Sequence, residues 1–326
     1  MTDTPRVPIA RELEPLVDAV RAAGLPLLLV GPHGIGKSEF LVAWAVSRGL
    51  ETCVLDLSLL EPTDLQGLPY RERGLTRYAP PASLPHGDKP CILILEELNR
   101  CDRSVRQPCL QLLTTRRLND YALPDDCFLA ACVNPDQGGY DVDAFDPALA
   151  SRFVELKVRA DAPAWLIWAR SARLWPAVVE FVARFPQALD KAPPRSWTYA
   201  ARLVEAAAKT GLPVACIEPA LVGILGPVTG KALALELVRR STTAPPRGLL
   251  NHGDLWADVF RGWMCDGHLD AVSQSLAELA RHLDAHPTEA VPSAGLDLAL
   301  AVAPPDLVIP IRERLHRCEA SLSVAV

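Results

Sequence analysis

The stretch that decides the fold of this chain is Gly31-Pro32-His33-Gly34-Ile35-Gly36-Lys37-Ser38. It matches without a gap the pattern of a phosphate-binding loop, in which Gly and four further residues precede Gly-Lys-Ser/Thr. The apolar run at residues 27–30 predicts a buried parallel strand before the loop, and residues 38–46 have the pattern of a helix after it. Strand, glycine loop and helix together are the setting in which this pattern binds a nucleotide; an ordinary glycine turn is the alternative.

The chemistry of the loop follows from its glycines and from the helix that it opens. Glycine has no Cβ, so the backbone can curl around an anion and point its amides inward. The helix N-terminus adds positive potential at the same place. Lys37 is predicted to reach the β- and γ-phosphates, and Ser38 to ligate Mg²⁺ through its hydroxyl. We therefore predict that residues 31–38 bind ATP together with Mg²⁺.

Strand and helix patterns alternate through the first half of the chain. Helices are predicted at residues 9–23 and 104–115, and strands at residues 26–30, 52–57, 91–95, 128–133 and 153–158. This alternation predicts an α/β fold with a parallel sheet covered on both faces. Residues 64–81 are polar and broken by Gly and Pro, which predicts a loop or hairpin insertion, and Asn119-Asp120 predicts the turn of a hairpin at 116–124.

Beyond about residue 160 only helical patterns recur. They cover residues 164–172, 175–185, 196–209, 214–225, 231–240, 255–264, 271–286 and 307–318. Pro245-Pro246 lies within a predicted linker at 243–247. We therefore predict an α/β nucleotide-binding domain at 1–160, an α-helical lid at 161–242 and a helical C-terminal tail at 248–326. The stripe of Trp256, Val259, Phe260 and Trp263 predicts a buried helix face.

The composition of the chain favours an ordinary globular protein. Of its 326 residues 49% are hydrophobic and 22% are charged, and the formal net charge is −6. A negative charge argues against a nucleic-acid-binding surface, which needs clustered Lys and Arg. Nine cysteines without Cys-x-x-Cys spacing predict buried reduced thiols. With neither an apolar signal core near the N-terminus nor a membrane-length apolar run, we expect a cytoplasmic protein with no membrane partner.

A second motif accompanies the loop, where the apolar run 92–95 ends in Glu96 and Glu97. Acids that end a parallel strand lie at the same edge of the sheet as a phosphate-binding loop. The first acid is predicted to hold Mg²⁺ and the second to activate the attacking water. The alternative is a solvated acidic strand end.

These residues resemble a known family. Glu96-Glu97-Leu98-Asn99-Arg100 is similar to the segment after the acidic strand in MoxR-type AAA+ ATPases, in the group with dynein-related AAA modules. Asn134 matches the sensor-1 position, Arg152 the arginine finger within residues 146–153, and Arg195 the sensor-2 position that opens a lid helix. The resemblance covers about residues 5–240.

The resemblance implies an AAA+ fold and hydrolysis of ATP. Glu97 would be the catalytic base, and Asn134 would position the water. Arg152 would reach into the neighbouring subunit's site, and Arg195 would report the γ-phosphate to the lid. The alternatives are Asn134 as a strand-end cap, Arg152 in a surface salt bridge, and Arg195 as a residue that favours its helix start or stacks on Trp197.

The resemblance also implies a homo-oligomer, a hexameric ring that remodels a protein partner in a chaperone-like manner. That partner would be a protein with a von Willebrand A domain. The insertion after the second core helix would supply a pore-facing loop with Arg71, Arg73, Arg77 and Tyr78, for which a solvated surface loop is the alternative. Arg100 would contact a neighbouring subunit, or pair locally with Asp102.

One residue departs from the family pattern. Glu96 stands where the family usually has Asp, which moves the carboxylate outward by one bond. Binding of Mg²⁺ tolerates such a shift through its water ligands, so the departure bears on the rate of hydrolysis. Two rival functions remain open: a nucleotide-dependent scaffold with little hydrolysis, favoured by Glu96, and a DNA-acting motor, disfavoured by the net charge.

Overall fold

The computed structural model describes residues 6–134, 147–240, 243–287 and 293–324. They form two compact units. The first comprises the described residues up to Trp165 together with Pro193–Arg195, and the second comprises Leu166–Ala192 and the described residues from Ser196 onward. The helices predicted beyond residue 172 lie in the second unit. Its division into a lid at 161–242 and a tail at 248–326 stays a prediction.

The first unit is built on a sheet of six parallel strands. Its elements are β1 (Val7–Pro8), α1 (Glu14–Ala22), β2 (Leu27–Val30), α2 (Lys37–Ser47), β3 (Glu51–Asp56), α3 (Pro62–Gln66), β4 (Leu68–Glu72), β5 (Leu75–Ala79), β6 (Cys91–Glu96), α4 (Arg103–Thr115), β7 (Arg117–Leu118), β8 (Tyr121–Ala122), β9 (Cys127–Val133), α5 (Pro147–Ala150) and β10 (Val154–Arg159). The strand order is β1-β10-β2-β9-β6-β3, with parallel neighbours throughout. The predicted α/β sheet is confirmed; β1 is too short to show a sequence period.

The central strands β2, β6 and β9 are almost entirely apolar because both faces of the sheet are covered there. Successive side chains of a strand point to opposite faces. Leu28 and Leu93 accordingly belong to one core, with residues of α4. Leu29 and Ile94 belong to the other, with residues of α1 and α2. A parallel sheet between two helical layers therefore needs the continuous apolar runs that the sequence contains.

Strand register brings the sequence motifs to one edge of the sheet. Val30, the last residue of β2, pairs with Val133, the last residue of β9. Glu96, the last residue of β6, pairs with Cys132 of β9 on one side and with Asp56 of β3 on the other. The phosphate-binding loop, the two glutamates and Asn134 all follow directly from these strand ends.

Two hairpins extend from the first unit and contact each other. In the first, β4 and β5 are joined by Arg73 and Gly74, both with positive φ, as a two-residue hairpin turn requires. In the second, β7 and β8 are joined by Asn119 and Asp120. The Asp120 carboxylate accepts a hydrogen bond from Arg77 Nη1 at 3.0 Å and another from the backbone N–H of residue 78 at 2.7 Å. The hairpin at 116–124 was predicted, and residues 64–81 form the hairpin that was one of two predicted alternatives; the contact between the hairpins was not predicted.

The second unit is helical in its described residues. Its elements are α6 (Ala162–Ser171), α7 (Pro176–Arg184), α8 (Ala188–Lys191), α9 (Pro194–Thr210), α10 (Val214–Leu225), α11 (Pro227–Arg240), α12 (Pro246–Cys265), α13 (Leu269–Ala285), α14 (Ser293–Val302) and α15 (Pro305–Val324). Both α6 and α9 begin in the first unit. The predicted core stripe on α12 is confirmed, since Trp256 and Phe260 are buried. Within the predicted linker Ala244 is buried, and its N–H donates to Ser275 Oγ at 2.7 Å. The sequence analysis did not predict α14.

Two further observations bear on the composition. Six of the nine cysteines are buried, as predicted, and none of the nine, all of which lie in the described ranges, forms a disulfide. Among the described residues, no helix is both long enough and apolar enough to cross a bilayer.

Candidate nucleotide-binding site

The glycine loop ends where α2 begins, at Lys37. Gly34 and Gly36 have φ values of +70° and +96°. Side chains other than glycine are disfavoured in this region because Cβ crowds the following carbonyl. The glycines therefore let the chain turn from the end of β2 into a helix whose N-terminal N–H groups face the loop.

Lys37 is almost completely buried, with 8% of its surface exposed. Its ammonium donates to the carbonyl oxygens of Gly31 at 2.7 Å and Pro32 at 3.0 Å, and to Asn134 Oδ1 at 2.7 Å. These three bonds use all three N–H donors of the side chain. Burial lowers the pKa of Lys37, while the nearby carboxylates of Glu97 and Glu96 act in the opposite direction.

Asn134 connects Lys37 with the predicted base. Its Oδ1 accepts from Lys37, and its Nδ2 donates to Glu97 Oε1 at 2.8 Å. The partners settle the orientation of the amide, because an ammonium only donates and a carboxylate only accepts. A single side chain at the end of β9 therefore bridges the predicted phosphate ligand and the predicted base.

Glu97 is held in an uncommon backbone conformation. Its φ is +54°, in the left-handed region. Its N–H donates to Cys132 O at 3.1 Å, and its carbonyl accepts from the backbone N–H of Arg100 at 2.8 Å. Oε2 is buried and has no hydrogen-bond partner in the described part of the chain, and Arg100 Nη1 lies 3.6 Å from it. Asp102, the predicted alternative partner of Arg100, caps the N-terminus of α4: its side chain accepts a hydrogen bond from the backbone N–H of Ser104.

Ser38 and Glu96 converge on Cys132. Burial raises the pKa of the Cys132 thiol to about 12, a hydrogen bond with Ser38 opposes this, and the charge of Glu96 adds to it. The Ser38 hydroxyl and the Glu96 carboxylate therefore both influence Cys132, with which Glu96 pairs in register at the end of β6. Oxygen donors of these two kinds fit Mg²⁺.

Arg195 reaches the loop through its backbone. Its N–H donates to Gly34 O at 3.1 Å, at the start of α9. Its positive charge contributes to the lowered pKa of Lys37. Trp197, the predicted alternative partner of Arg195, stacks on Phe181, with ring centroids 5.7 Å apart.

The structure brings together most, but not all, of the predicted site residues. The group around Lys37 consists of Gly31, Pro32, Gly34, Gly36, Lys37, Ser38, Glu96, Glu97, Asn134 and Arg195. His33 is exposed, and Ile35 is buried in the core of the first unit. Arg152 lies elsewhere: its Nε donates to Thr114 Oγ1 at 2.9 Å, at the last turn of α4. Asp146, in the same predicted segment, lies outside the described residues.

Sequence reasoning gave no role to two residues near the site, the buried Asn99 and the partly buried Arg106. Asn99 is 6% exposed, and its Nδ2 donates to Asn134 O at 2.8 Å. Arg106 Nη2 donates to the carbonyls of Asn99 and Cys101, at 3.3 and 2.9 Å. The sequence feature that could have drawn attention to Asn99 is its position two residues after the acid pair. That spacing does not reveal that Asn99 contacts Asn134.

Comparisons with known proteins agree with the motifs. Residues 26–153 match a family model described as an AAA domain of the dynein-related subfamily. No curated protein matches the chain significantly.

Several solved structures resemble part of the chain. A proposed ATPase from Cytophaga hutchinsonii is 16% identical, with a TM-score of 0.40 over 51% of this chain and 52% of that one. NtrX from Brucella abortus in complex with ADP is 17% identical, with a TM-score of 0.39 over 59% and 47%. The Holliday junction branch migration motor RuvB of Thermotoga maritima is 14% identical, with a TM-score of 0.39 over 77% and 74%. The chain spans about half the length of the first two.

The family match runs from the start of β2 to the residue before β10. It includes the glycine loop, the acid pair and Asn134, which the sheet register places at one edge. Residues 26–153 of this chain therefore match the model of an AAA domain of the dynein-related subfamily, and the order of the motifs along the sheet agrees with that match.

Proposed function

We propose that the chain binds ATP with Mg²⁺ and hydrolyses it to ADP and phosphate. The observation that carries this proposal is the bridge made by Asn134. Its amide contacts the Lys37 ammonium and the Glu97 carboxylate at once, at 2.7 and 2.8 Å. Hydrolysis needs these two groups to act on adjoining atoms, the γ-phosphate and the attacking water.

Binding of ATP changes the partners of Lys37. All three of its donors are already used, so phosphate oxygens must replace at least one of its three acceptors. The acceptor that leaves most readily is Asn134 Oδ1, because it belongs to a side chain and the other two belong to the loop backbone. The amide oxygen released in this way can accept a hydrogen bond from the attacking water.

Glu97 takes the proton of that water. Among the described residues, its buried Oε2 accepts no hydrogen bond and has Arg100 Nη1 at 3.6 Å, so it can accept a proton from the water. The new bond forms between the water oxygen and the γ-phosphorus, and the bond to the ADP oxygen breaks. Lys37 and Arg195 supply positive charge to the phosphates. Ser38 and Glu96 would hold Mg²⁺, which when bound neutralises charge on the phosphate oxygens.

We further propose a MoxR-type role, in which a hexameric ring remodels a protein partner in a chaperone-like manner. Support comes from the order of the motifs and from Arg152, whose Nε lies outside the group around Lys37. The hairpin β4–β5 carries exposed Leu68, Tyr70 and Leu75 among arginines, which suits contact with a protein. A partner with a von Willebrand A domain is proposed on the family resemblance alone.

A scaffold that binds ATP and hydrolyses little is the second candidate. Glu96 favours it, because a carboxylate one methylene longer than Asp shifts the metal relative to the phosphates. The two candidates differ in turnover and agree in binding.

Two substitutions with matched controls test the proposal. Lys37→Ala is expected to abolish ATP binding measured by calorimetry. Glu97→Gln is expected to bind ATP and to lose turnover by about 10²–10⁴-fold, the usual contribution of a general base. Lys89→Ala and Glu51→Gln remove an exposed ion pair of the same residue types and should change neither quantity. Wild-type turnover in Glu97→Gln would contradict hydrolysis at this site, and wild-type affinity in Lys37→Ala would contradict the site itself.

A further inference from the structure

Asn99 is buried and contacts Asn134, a residue of the proposed site. It lies in the turn between β6 and α4, two residues after Glu97. Its Nδ2 donates to the backbone carbonyl of Asn134 at 2.8 Å. Its own carbonyl is held from the other side by Arg106 Nη2 at 3.3 Å. The turn that carries the base is thereby tied to the end of β9.

The bond between Asn99 and Asn134 has a defined direction. A backbone carbonyl only accepts, so the Asn99 amide must present its NH₂ to it. Asn99 Oδ1 is then buried without a hydrogen-bond partner among the described residues. An unsatisfied buried oxygen destabilises a fold. At this position, therefore, Asn99 leaves its Oδ1 without a hydrogen bond from any residue that the structure describes, while its Nδ2 donates to the carbonyl of Asn134.

We propose that Asn99 is a positioning residue for the hydrolysis of ATP, acting through Asn134. The backbone of Asn134 is fixed by Asn99, and its side chain bridges Lys37 and Glu97. Without the bond from Asn99, the residue at the end of β9 is free to turn. With ATP bound, its Nδ2 then no longer holds the Glu97 carboxylate, and its Oδ1, released from Lys37, no longer meets the attacking water. This inference rests on the proposed function, and it assigns to Asn99 a role in geometry rather than in chemistry.

A double-mutant cycle separates this role from simple stabilisation. In Asn99→Ala, kcat at saturating ATP is expected to fall about threefold to tenfold, the range that one net hydrogen bond is worth. In the Asn134→Ala background the same substitution is expected to change kcat no further, because there is no amide left to position. Melting temperatures are recorded for all four proteins.

Two further variants keep the test decisive. Asn99→Asp has the same shape but no donor when ionised, and it repeats the cycle if Asn99→Ala does not fold. Asn119→Gly is the matched control. It deletes an asparagine bond to a backbone carbonyl, from Asn119 Nδ2 to Gln66 O at 3.2 Å, while glycine keeps the positive φ. Its kcat should equal that of the wild type.

An equal fall in kcat in both backgrounds would overturn the proposal, and so would an unchanged kcat in Asn99→Ala. If the wild type binds ATP but does not hydrolyse it, the proposed function fails and Asn99 is judged by ATP affinity instead. Because Asn134 is a partner of Lys37, Asn99→Ala should then shift affinity in the same direction as Asn134→Ala and add nothing to it. Additive shifts would refute the positioning role.

Discussion

The Lys37 ammonium donates to three protein acceptors at a position that is almost completely buried from water. This burial makes the charge of Lys37 sensitive to pH. Burial holds its pKa below the ordinary value of 10.5. Phosphate binding needs the ammonium form. Above the lowered pKa the free protein must take up a proton to bind ATP, so affinity falls as pH rises.

We expect ATP affinity, measured by calorimetry from about pH 7 upward, to decline before the ordinary range of lysine is reached. Over the same range the unfolded chain holds more protons at this residue than the folded chain does. The contribution of Lys37 to the free energy of unfolding therefore rises with pH, and weaker binding cannot come from unfolding. Lys37→Arg, which stays charged, should lack the decline if it binds ATP. If the wild type bound ATP with the same affinity at all values up to pH 10.5, the expectation would be contradicted.

Glu96 is the second residue with a specific expectation. It pairs in register with Asp56 and Cys132. Its negative charge acts to raise the pKa of Lys37 and of the Cys132 thiol. A close-packed site resists even a shift of one methylene. We therefore expect Glu96→Asp to leave turnover unchanged or lower it, with Glu96→Gln as the control for loss of charge. A several-fold gain in turnover would show instead that the longer acid misplaces the metal.

At the scale of elements, the Asp120 carboxylate joins the hairpin β4–β5 to the hairpin β7–β8. Asp120 accepts from Arg77 and from the N–H of residue 78, and these bonds keep its pKa below 3.8. The contact is therefore complete at neutral pH and weakens only as pH falls through that lowered pKa. Since one residue ties two hairpins, its loss should loosen one element without unfolding the unit.

We expect Asp120→Ala to speed amide hydrogen exchange across residues 68–79 with little change in melting temperature. Asp126→Ala is the matched control, because it removes an ion pair with Arg21 at 3.1 Å but no bond to the backbone of the hairpin. Equal exchange in Asp120→Ala and in the wild type would mean that other contacts hold the hairpin.

For the whole molecule, the proposed ring predicts that hydrolysis needs two subunits. An arginine that stabilises charge on the γ-phosphate of a neighbour is worth about 10³–10⁵ in rate. A surface ion pair is worth only about 0–1 kcal/mol of stability and does not alter the rate. The hydrogen bond of Arg152 to Thr114 leaves both roles open to experiment.

We expect Arg152→Ala to bind ATP and to turn it over very slowly, whereas Arg103→Ala, on an exposed residue of α4, should behave as the wild type. Mixing Arg152→Ala with Glu97→Gln should restore part of the activity, because intact Glu97 sites then lie beside subunits that keep Arg152. The restoration requires that subunits exchange and that one complete interface acts alone. Full activity of Arg152→Ala as a monomer would refute a role across subunits.

The sequence by itself determined the parallel sheet, the glycine loop and the acid pair. Each depends on spacing within one short segment: apolar runs for strands buried on both faces, Gly-x₄-Gly-Lys-Ser for the loop, and two acids at a strand end. Strand ends were predicted to within about one residue for this reason. The helix α14 and the two-residue strand β1 were not predicted, because neither segment shows a clear periodic pattern of apolar residues.

Only the tertiary structure decided which of these groups touch. Lys37 and Asn134 are 97 positions apart, and Asn99 and Asn134 are 35 apart. Their contacts depend on the register of β2, β6 and β9, which a single sequence does not reveal. The same holds for Asp120 and Arg77, which are 43 positions apart and whose hydrogen bond joins the two hairpins. Local patterns name the parts of the site, but hydrogen bonds a few ångströms long are set by how distant strands align, and that alignment is a property of the folded chain.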